Sequence, residues 1–565
     1  MNQAALEKNL TNFLATGLFL ISVTVSTEGL TDPVNVPKLL LLGVFATASI
    51  GFLTKFRDTY RGIQMQAIFV SLGLFVIFSL AALIKSSSPM AQNIYGSYGR
   101  NNGLLAYIFL SILVLSGSVI TDRKNHDIFL KSIIYVGYVN LVYCLWVILF
   151  GDFLPWNNTY GNILGTFGNP NFIGAFFGIF FGVLVAIGLG AEASIRFRLS
   201  LIVILPLTLF EIVKSHAIQG RVLAALALAI VSFFFLKFRV KRTYITMYTT
   251  LCIGLGSLAL AGAFQKGPLA ALIYKNSVSL RGQYWLAAWN TGQENPVFGV
   301  GMDGFGDWYR RARDLRALEL PGINTVVDTA HNVPLDMLAF GGWPLFIAYL
   351  TVMGLAMRSL IRIAFKLQSY DGVAVGLITA WICYQVQSVI SINQIGLAVW
   401  GWLLSGLLIG FEKSRFLSSG NNSVRKTENK GKRLHQTTVS PGSVLAVSSL
   451  GLAGLLIALP PVSADVKWRS AQISQDALKL EQTMAASYFN PQNTRKYMEN
   501  IQAFESSGFF DLSHKYALEA VEWNPESFEL WRLLYLIKNS TPTEKETAIS
   551  KMKSLDPLNP DVTAR

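Results

Sequence analysis

Polar and apolar positions alternate on a long wavelength in this chain. Stretches of about 15 to 20 residues with few or no charges are separated by short polar connections, the pattern of helices that cross a bilayer. They cover roughly Asn12–Ser26, Pro37–Leu53, Gln66–Ile84, Leu104–Ile120, Phe129–Phe150, Phe172–Gly190, Leu199–Val213, Val222–Leu236 and Tyr244–Ala263. Trp343–Ile361, Gly372–Ile390, Gly396–Phe411 and Val444–Leu459 follow. None shows the residue-by-residue alternation of a barrel strand. The pattern predicts an all-α, polytopic membrane protein of about 12–13 transmembrane helices.

Lysine and arginine sort the connections into two sets. Lys55-Phe56-Arg57, Arg123-Lys124, Arg196 with Arg198, Lys237 to Arg242, Arg358 with Arg362 and Lys366, and Lys413 to Arg433 fall on one side. By the positive-inside rule that side is cytoplasmic, and the N-terminus with it. The opposite connections, Glu28–Lys38, Lys85–Gly103, Gly151–Asn171, Lys214–Arg221, Gln265–Gly342 and Ser391–Ile395, are richer in glycine, proline and aromatics.

Three departures from the pattern set the expected organisation. A membrane-embedded region covers 1–411, with a large outer-face loop at 264–342. A basic cytoplasmic linker at 412–440 contains Phe416–Gln436, which lacks apolar periodicity and is expected to be disordered. A last transmembrane helix at 441–460 leads into an extracytoplasmic helical domain at 461–565, since the composition turns soluble after Ser463. In that tail Ala517-Leu518-Glu519-Ala520-Val521-Glu522-Trp523-Asn524-Pro525 resembles the turn of a tetratricopeptide repeat, and Leu555-Asp556-Pro557-Leu558-Asn559-Pro560 repeats the stop.

Composition changes the picture little. Charged residues are 14% of the chain, against roughly a quarter in soluble proteins. The net charge of +14 is explained by basic loops that retain span ends, so nucleic acid is not an expected partner. Cys144, Cys252 and Cys383 lie inside apolar runs without disulfide or metal spacing. The first run has no small-residue cleavage site and reads as a span rather than a leader.

Candidate chemistry gathers between Arg281 and Trp343. There is no P-loop, no HExxH, no Cys/His cluster and no Asp-x-Asp run on an outer loop, so no cofactor or metal is expected and any donor must arrive activated. His331, at the outer end of a span before Asn332-Val333-Pro334, can take a proton from a hydroxyl at neutral pH; a packing or capping role accounts for it equally. Arg100, Arg221 and Arg281 face the same side, where arginine works against retention signals. Their ionised forks suit a diphosphate, both as ligand and as leaving group. Arg310, Arg311, Arg313 and Arg316 are expected to meet lipid headgroups instead. His216 is a weaker alternative base. In Gly165-Thr166-Phe167-Gly168-Asn169-Pro170-Asn171-Phe172, Asn169 and Asn171 are expected to bond sugar or backbone. Gly299 to Gly306 reads as a tight turn and not as a dinucleotide fingerprint.

Taken together, Arg281…Trp285, Asn295-Pro296…Gly299-Val300-Gly301, His331-Asn332 and Gly341-Gly342, with the Gly165–Phe172 segment, resemble the O-antigen ligase/polymerase superfamily over most of the membrane region, to about Phe411. The resemblance implies a GT-C-like helical glycosyltransferase of cell-surface polysaccharide synthesis in the bacterial cytoplasmic membrane. It would use a polyprenyl-diphosphate-linked glycan without metal or nucleotide and invert the anomeric centre. His331 would activate the acceptor hydroxyl, Arg281 and Arg221 with Arg100 would hold the diphosphate, and Asn169, Asn171 and Asn332 would contact glycan or order the loops. Relatives often start the Arg221 span with a Ser-Arg-Gly-like sequence, whereas Gln219-Gly220 precede Arg221 here. The acceptor stays open: a lipid-anchored core sugar as in lipopolysaccharide, a growing glycan, or a protein hydroxyl, as in a protein O-oligosaccharyltransferase. The tail favours a protein partner, because repeats of its kind bind peptides. A small-anion transporter is the alternative from another class; it needs ionisable groups near mid-bilayer, where Glu211, Gln385 and Gln387 are the few polar candidates.

Overall fold

Each predicted apolar run lies in a helix, because in lipid only a helix or a closed barrel satisfies every backbone N–H and C=O. The computed structural model describes residues 3–56, 62–156, 158–417 and 441–563. The helices are α1 (Gln3–Val23), α2 (Asn35–Leu53), α3 (Ile63–Lys85), α4 (Met90–Tyr95), α5 (Leu104–Ser118), α6 (Arg123–Phe150), α7 (Pro170–Gly188), α8 (Ile195–Lys214), α9 (Ile218–Lys237), α10 (Arg242–Ala263), α11 (Ala270–Ile273), α12 (Asn276–Glu294) and α13 (Phe305–Ala312). They continue with α14 (Val333–Lys366), α15 (Gly372–Ile390), α16 (Ile395–Leu417), α17 (Pro441–Ser474), α18 (Ala477–Gln482), α19 (Thr494–Ser506), α20 (Phe510–Trp523), α21 (Phe528–Leu536), α22 (Pro542–Leu555) and α23 (Pro560–Thr563). Among the described residues no strand forms, and ten helices are long and apolar enough to cross a membrane. α5, with 15 residues, is shorter than that measure, and α1 and α8 mix charges among their apolar positions.

α16 is the axis of the bundle: its apolar window is 100% buried, against 6% for α10 at the rim. It packs on α5, α14 and α15, and α17 returns to lie along α2. Polar groups inside find partners, as the low dielectric demands. Trp400 Nε1 donates to Ser22 Oγ, Trp381 Nε1 to Ser405 Oγ, and Thr47 Oγ1 to the Leu450 carbonyl, each at 2.8 Å.

Side-chain hydrogen bonds sort the connections into two ends, as the charge pattern predicts. At one end Glu7 receives the Thr121 and Asp122 N–H groups, Arg123 pairs with Asp371 and Glu192, and Arg362 with Glu412. At the other, Ser86 donates to the Val300 carbonyl, Arg100 pairs with Asp328, and Asn35 donates to the Gly99 carbonyl.

Three expected boundaries move. The outer loop is largely helical, with α11, α12 and α13 inside it, and α14 starts at Val333 rather than at Trp343. The composition change after Ser463 falls inside one continuous helix, since α17 runs on to Ser474. Of the expected linker, 412–417 belong to α16 and 418–440 lie outside the described residues.

Within α14, Gly341 (φ −137°, ψ 18°) and Gly342 (φ 65°, ψ −165°) leave the helical region. The glycine-rich strand of chain before α13 repairs the break. Pro344 has no N–H for the Phe340 carbonyl, and Gly301 N–H supplies one at 3.0 Å. Trp343 N–H leaves the Ala339 carbonyl for that of Pro296, at 2.8 Å, and Val300 N–H takes its place at 2.9 Å. A Cβ on Gly299 would collide with the Phe340 carbonyl carbon, and one on Gly342 with the Pro296 carbonyl, so the lacing requires glycine at both.

Candidate functional site

His331 sits on a left-handed residue (φ 54°) immediately before α14. Histidine tolerates that region better than most side chains, and the surrounding bonds hold it there. Asn332 caps α14 by accepting the Leu335 N–H at 3.0 Å, with Pro334 in the first turn. The Asp336 carboxylate reaches back to the Ala330 N–H at 2.7 Å. The backbone that carries the imidazole is thus fixed from both sides. Its Nδ1 lies 3.4 Å from Thr329 Oγ1, and its ring stands 5.5 Å from that of Tyr284.

Tyr284 is one turn beyond Arg281 on α12, so the helix brings both to the same side. Arg281 is half-buried, and its Nε is buried without a hydrogen-bond partner. Burial holds this guanidinium below its ordinary range, with only Tyr284 opposing. Arg100 completes the group from the turn after α4. Its Nε and Nη2 hold Asp328 at 2.7 and 3.3 Å. Burial would lower the Arg100 value, but Asp328 outweighs it; the reciprocal attraction keeps the Asp328 carboxylate below its usual range despite burial.

These neighbours decide the state of His331. Burial, then the positive charges of Arg100 and Arg281, lower its pKa to about 4, against the opposing pull of Asp328. At neutral pH the imidazole is therefore uncharged and can accept a proton. Asp303, buried beside Arg100 and bonded to the Ser97 N–H at 2.7 Å, is pushed up to about 7 by burial.

The structure brings His331, Arg281 and Arg100 together, and no hydrogen bond or ion pair among the described residues joins Arg221 to them. Arg221 is exposed in the first turn of α9, with no hydrogen bond or ion pair among the described residues. His216 is also exposed. Asn332 is spent on its cap, and Asn169 on another: it accepts the Asn171 N–H at 2.8 Å and donates to Tyr160 Oη. Sequence reasoning passed over Asp328, Tyr284 and Asp336. The one local signal was Asp328-Thr329 just before His331; the Arg100 partner is 228 positions away.

The arginines of α13 and of the residue that follows it correct an expectation. Arg310, Arg311 and Arg313 do not meet lipid headgroups, because carboxylates of the C-terminal helices claim them. Arg310 pairs with Glu529 at 2.8 Å and Asp556 at 3.0 Å, Arg313 with Asp556 at 2.7 Å, and Arg311 with Glu526 at 2.6 Å. Asn524 donates to Asp307 on the same helix at 3.2 Å. Asp307 also receives Gln92, and burial raises it to about 6. Asn524 and Asp556 are the residues before proline in the two repeat-like stops, so both stops grip α13. Tyr309 of α13 in turn lies 6.1 Å from Tyr284, which faces His331.

No curated protein matches the chain. A family model described as O-antigen ligase matches residues 217–350, a narrower span than the resemblance to Phe411 suggested; it takes in Arg221, Arg281 and His331 and stops short of the C-terminal helices. Over those residues, about a quarter of the chain, the protein is similar to the O-antigen ligase family.

Proposed function

We propose that this protein moves a glycan from a polyprenyl-diphosphate carrier to an acceptor hydroxyl on the outer face of the bacterial cytoplasmic membrane, with inversion and without a metal. The observation that carries the reading is Arg281: a buried donor with no partner, beside a neutral imidazole. An unpaired buried donor is costly, and an anion at that place relieves the cost.

In this reading the acceptor oxygen attacks the anomeric carbon while His331 takes its proton. The bond from that carbon to the diphosphate oxygen breaks on the opposite face, and the electron pair leaves with the diphosphate. Arg281 stabilises the departing charge, and Arg221, exposed at the start of α9 without a partner among the described residues, is the second guanidinium offered to it. Arg100, already engaged by Asp328, contributes field rather than a direct ligand. The acceptor is a sugar of a lipid core or growing glycan; a protein hydroxyl is the second reading, favoured by the C-terminal helices clamped beside the site.

Reconstitution of the full chain with a lipid-diphosphate glycan and separate carbohydrate and protein acceptors, with a chelator present, tests the reaction and its metal independence. In that assay Arg281→Lys is expected to lose roughly 10-fold or more in transfer, because an ammonium is a point charge and not a planar fork. Full activity of the lysine variant would show that charge alone is used.

The low His331 value sets the pH response. In the unfolded chain histidine titrates near 6.5, and here it is lowered to about 4. Its contribution to stability is therefore present above about pH 6.5 and is lost as the pH falls from there toward 4. For kcat/KM, which reports the free enzyme, the acid limb is expected near 4. Bound diphosphate offsets Arg281, so the limb in kcat is expected at higher pH. Coincident limbs near pH 6.5 in both profiles would contradict this.

A further inference from the structure

Between α18 and α19 the chain makes a tight turn closed by Ser487 and Asn490, whose backbones exchange bonds at 3.0 and 3.3 Å. The two residues at its tip are Tyr488 and Phe489. Such positions ordinarily hold glycine, asparagine, aspartate or proline. Two large aromatics there, 57% and 41% exposed, are out of place in water.

The turn is built to hold them. Asn490 Nδ2 donates to the Thr483 and Ala485 carbonyls, and its Oδ1 receives Lys496 Nζ at 2.9 Å. Tyr488 Oη donates to the Leu456 carbonyl at 3.0 Å. That carbonyl is free because its helical donor would be residue 460, a proline without an N–H. The tip is thereby pinned to α17 on the flank that carries Leu445, Leu452 and Leu456, which are 69, 57 and 46% exposed and recur on one face of a spanning helix. Asp465, the first charge of α17 beyond its apolar stretch, is nine residues further on, roughly 13 Å along the axis. The hydroxyl therefore reaches below the level at which α17 turns polar.

We infer that the Tyr488–Phe489 turn is a membrane-interface wedge, by which the C-terminal domain inserts two aromatic rings into the lipid beside α17. An amphipathic ring with its polar tip satisfied suits the headgroup–acyl boundary, where aromatic belts form. The occupant of this surface is the bilayer itself, since the rings continue a flank of α17 that faces lipid.

Hydroxyl-radical footprinting of the full-length protein in phosphatidylcholine/phosphatidylglycerol nanodiscs tests this without mutation. Tyr488 and Phe489 are expected to oxidise several-fold more slowly than Phe509, which is similarly exposed, at 46%, at the far end of α19. A nitroxide on Phe489→Cys, with Cys252 replaced by serine, is expected to meet oxygen more readily than a water-soluble nickel chelate. The same label on Lys515→Cys should show the reverse. Oxidation of the turn at the rate of Phe509, or a label at 489 that meets the chelate as freely as one at 515, overturns the wedge.

Discussion

Replacing His331 by alanine is expected to cut glycan transfer by roughly 10²–10⁴-fold, the usual contribution of a positioned general base, while the protein still inserts and folds. The second half of that expectation has a structural basis. The turn around residue 331 is held by Asn332 and Asp336 rather than by the imidazole. The ring contacts Tyr284 and is only partly enclosed, so its loss empties no core. Donor affinity should change little, because the diphosphate ligand in this reading is Arg281. Transfer and donor binding measured separately on the reconstituted variant check both parts. Undiminished transfer would remove His331 from the chemistry and leave a packing residue on a strained turn.

The second large effect is on stability. Asp556→Ala leaves two buried guanidiniums, Arg310 and Arg313, without their shared carboxylate, in a place where Arg313 and Asp556 are each 0% exposed in the side chain. Breaking a buried pair from one side typically costs about 3–5 kcal/mol, more than the pair contributes when intact. The cost should appear as lower thermal stability and faster proteolysis of the C-terminal helices. Transfer should fall as well, because Arg310 lies on α13 and Arg313 just after it, and α13 also carries Tyr309, which packs against Tyr284. A double-mutant cycle with Arg313→Met reads the coupling: the second substitution should recover part of the loss. An Asp556→Ala protein as stable as the parent would mean that the clamp does not hold the domain.

Legibility in the sequence followed distance along the chain. The spanning helices were readable because an apolar run states its own environment. Asn332-Val333-Pro334 announced a helix start, yet Asp336 and the glycine pair disguised the first turns of α14 as loop. The partners of the arginines were unreadable: Arg313 meets Asp556 across 243 positions, and nothing in local spacing tells a clamp from a headgroup contact. Arg281 and His331 were legible as residue types through the family resemblance. That Arg100 would be engaged by Asp328 depended on how the turn after α4 packs against the chain before α14. The asparagines left two readings open for a general reason, since the residue that suits a sugar also suits a cap, and Asn169 and Asn332 both cap helices.

Gly341 and Gly342 divide α14 into a short head and a long spanning segment. An unbroken helix of its 34 residues would be roughly 51 Å long, and bilayers of different thickness are matched by tilting such spans. A stiff rod of that length would swing the imidazole at its head whenever its foot shifted. With the break at residues 341–342, Ala339 and Phe340 above it tied to Val300 and Gly301, and Trp343 just below it tied to Pro296, the head of α14 is anchored on both sides of the break by one loop. The aim of His331 is then set by the loop to which it is tied, and not by the lipid around the span.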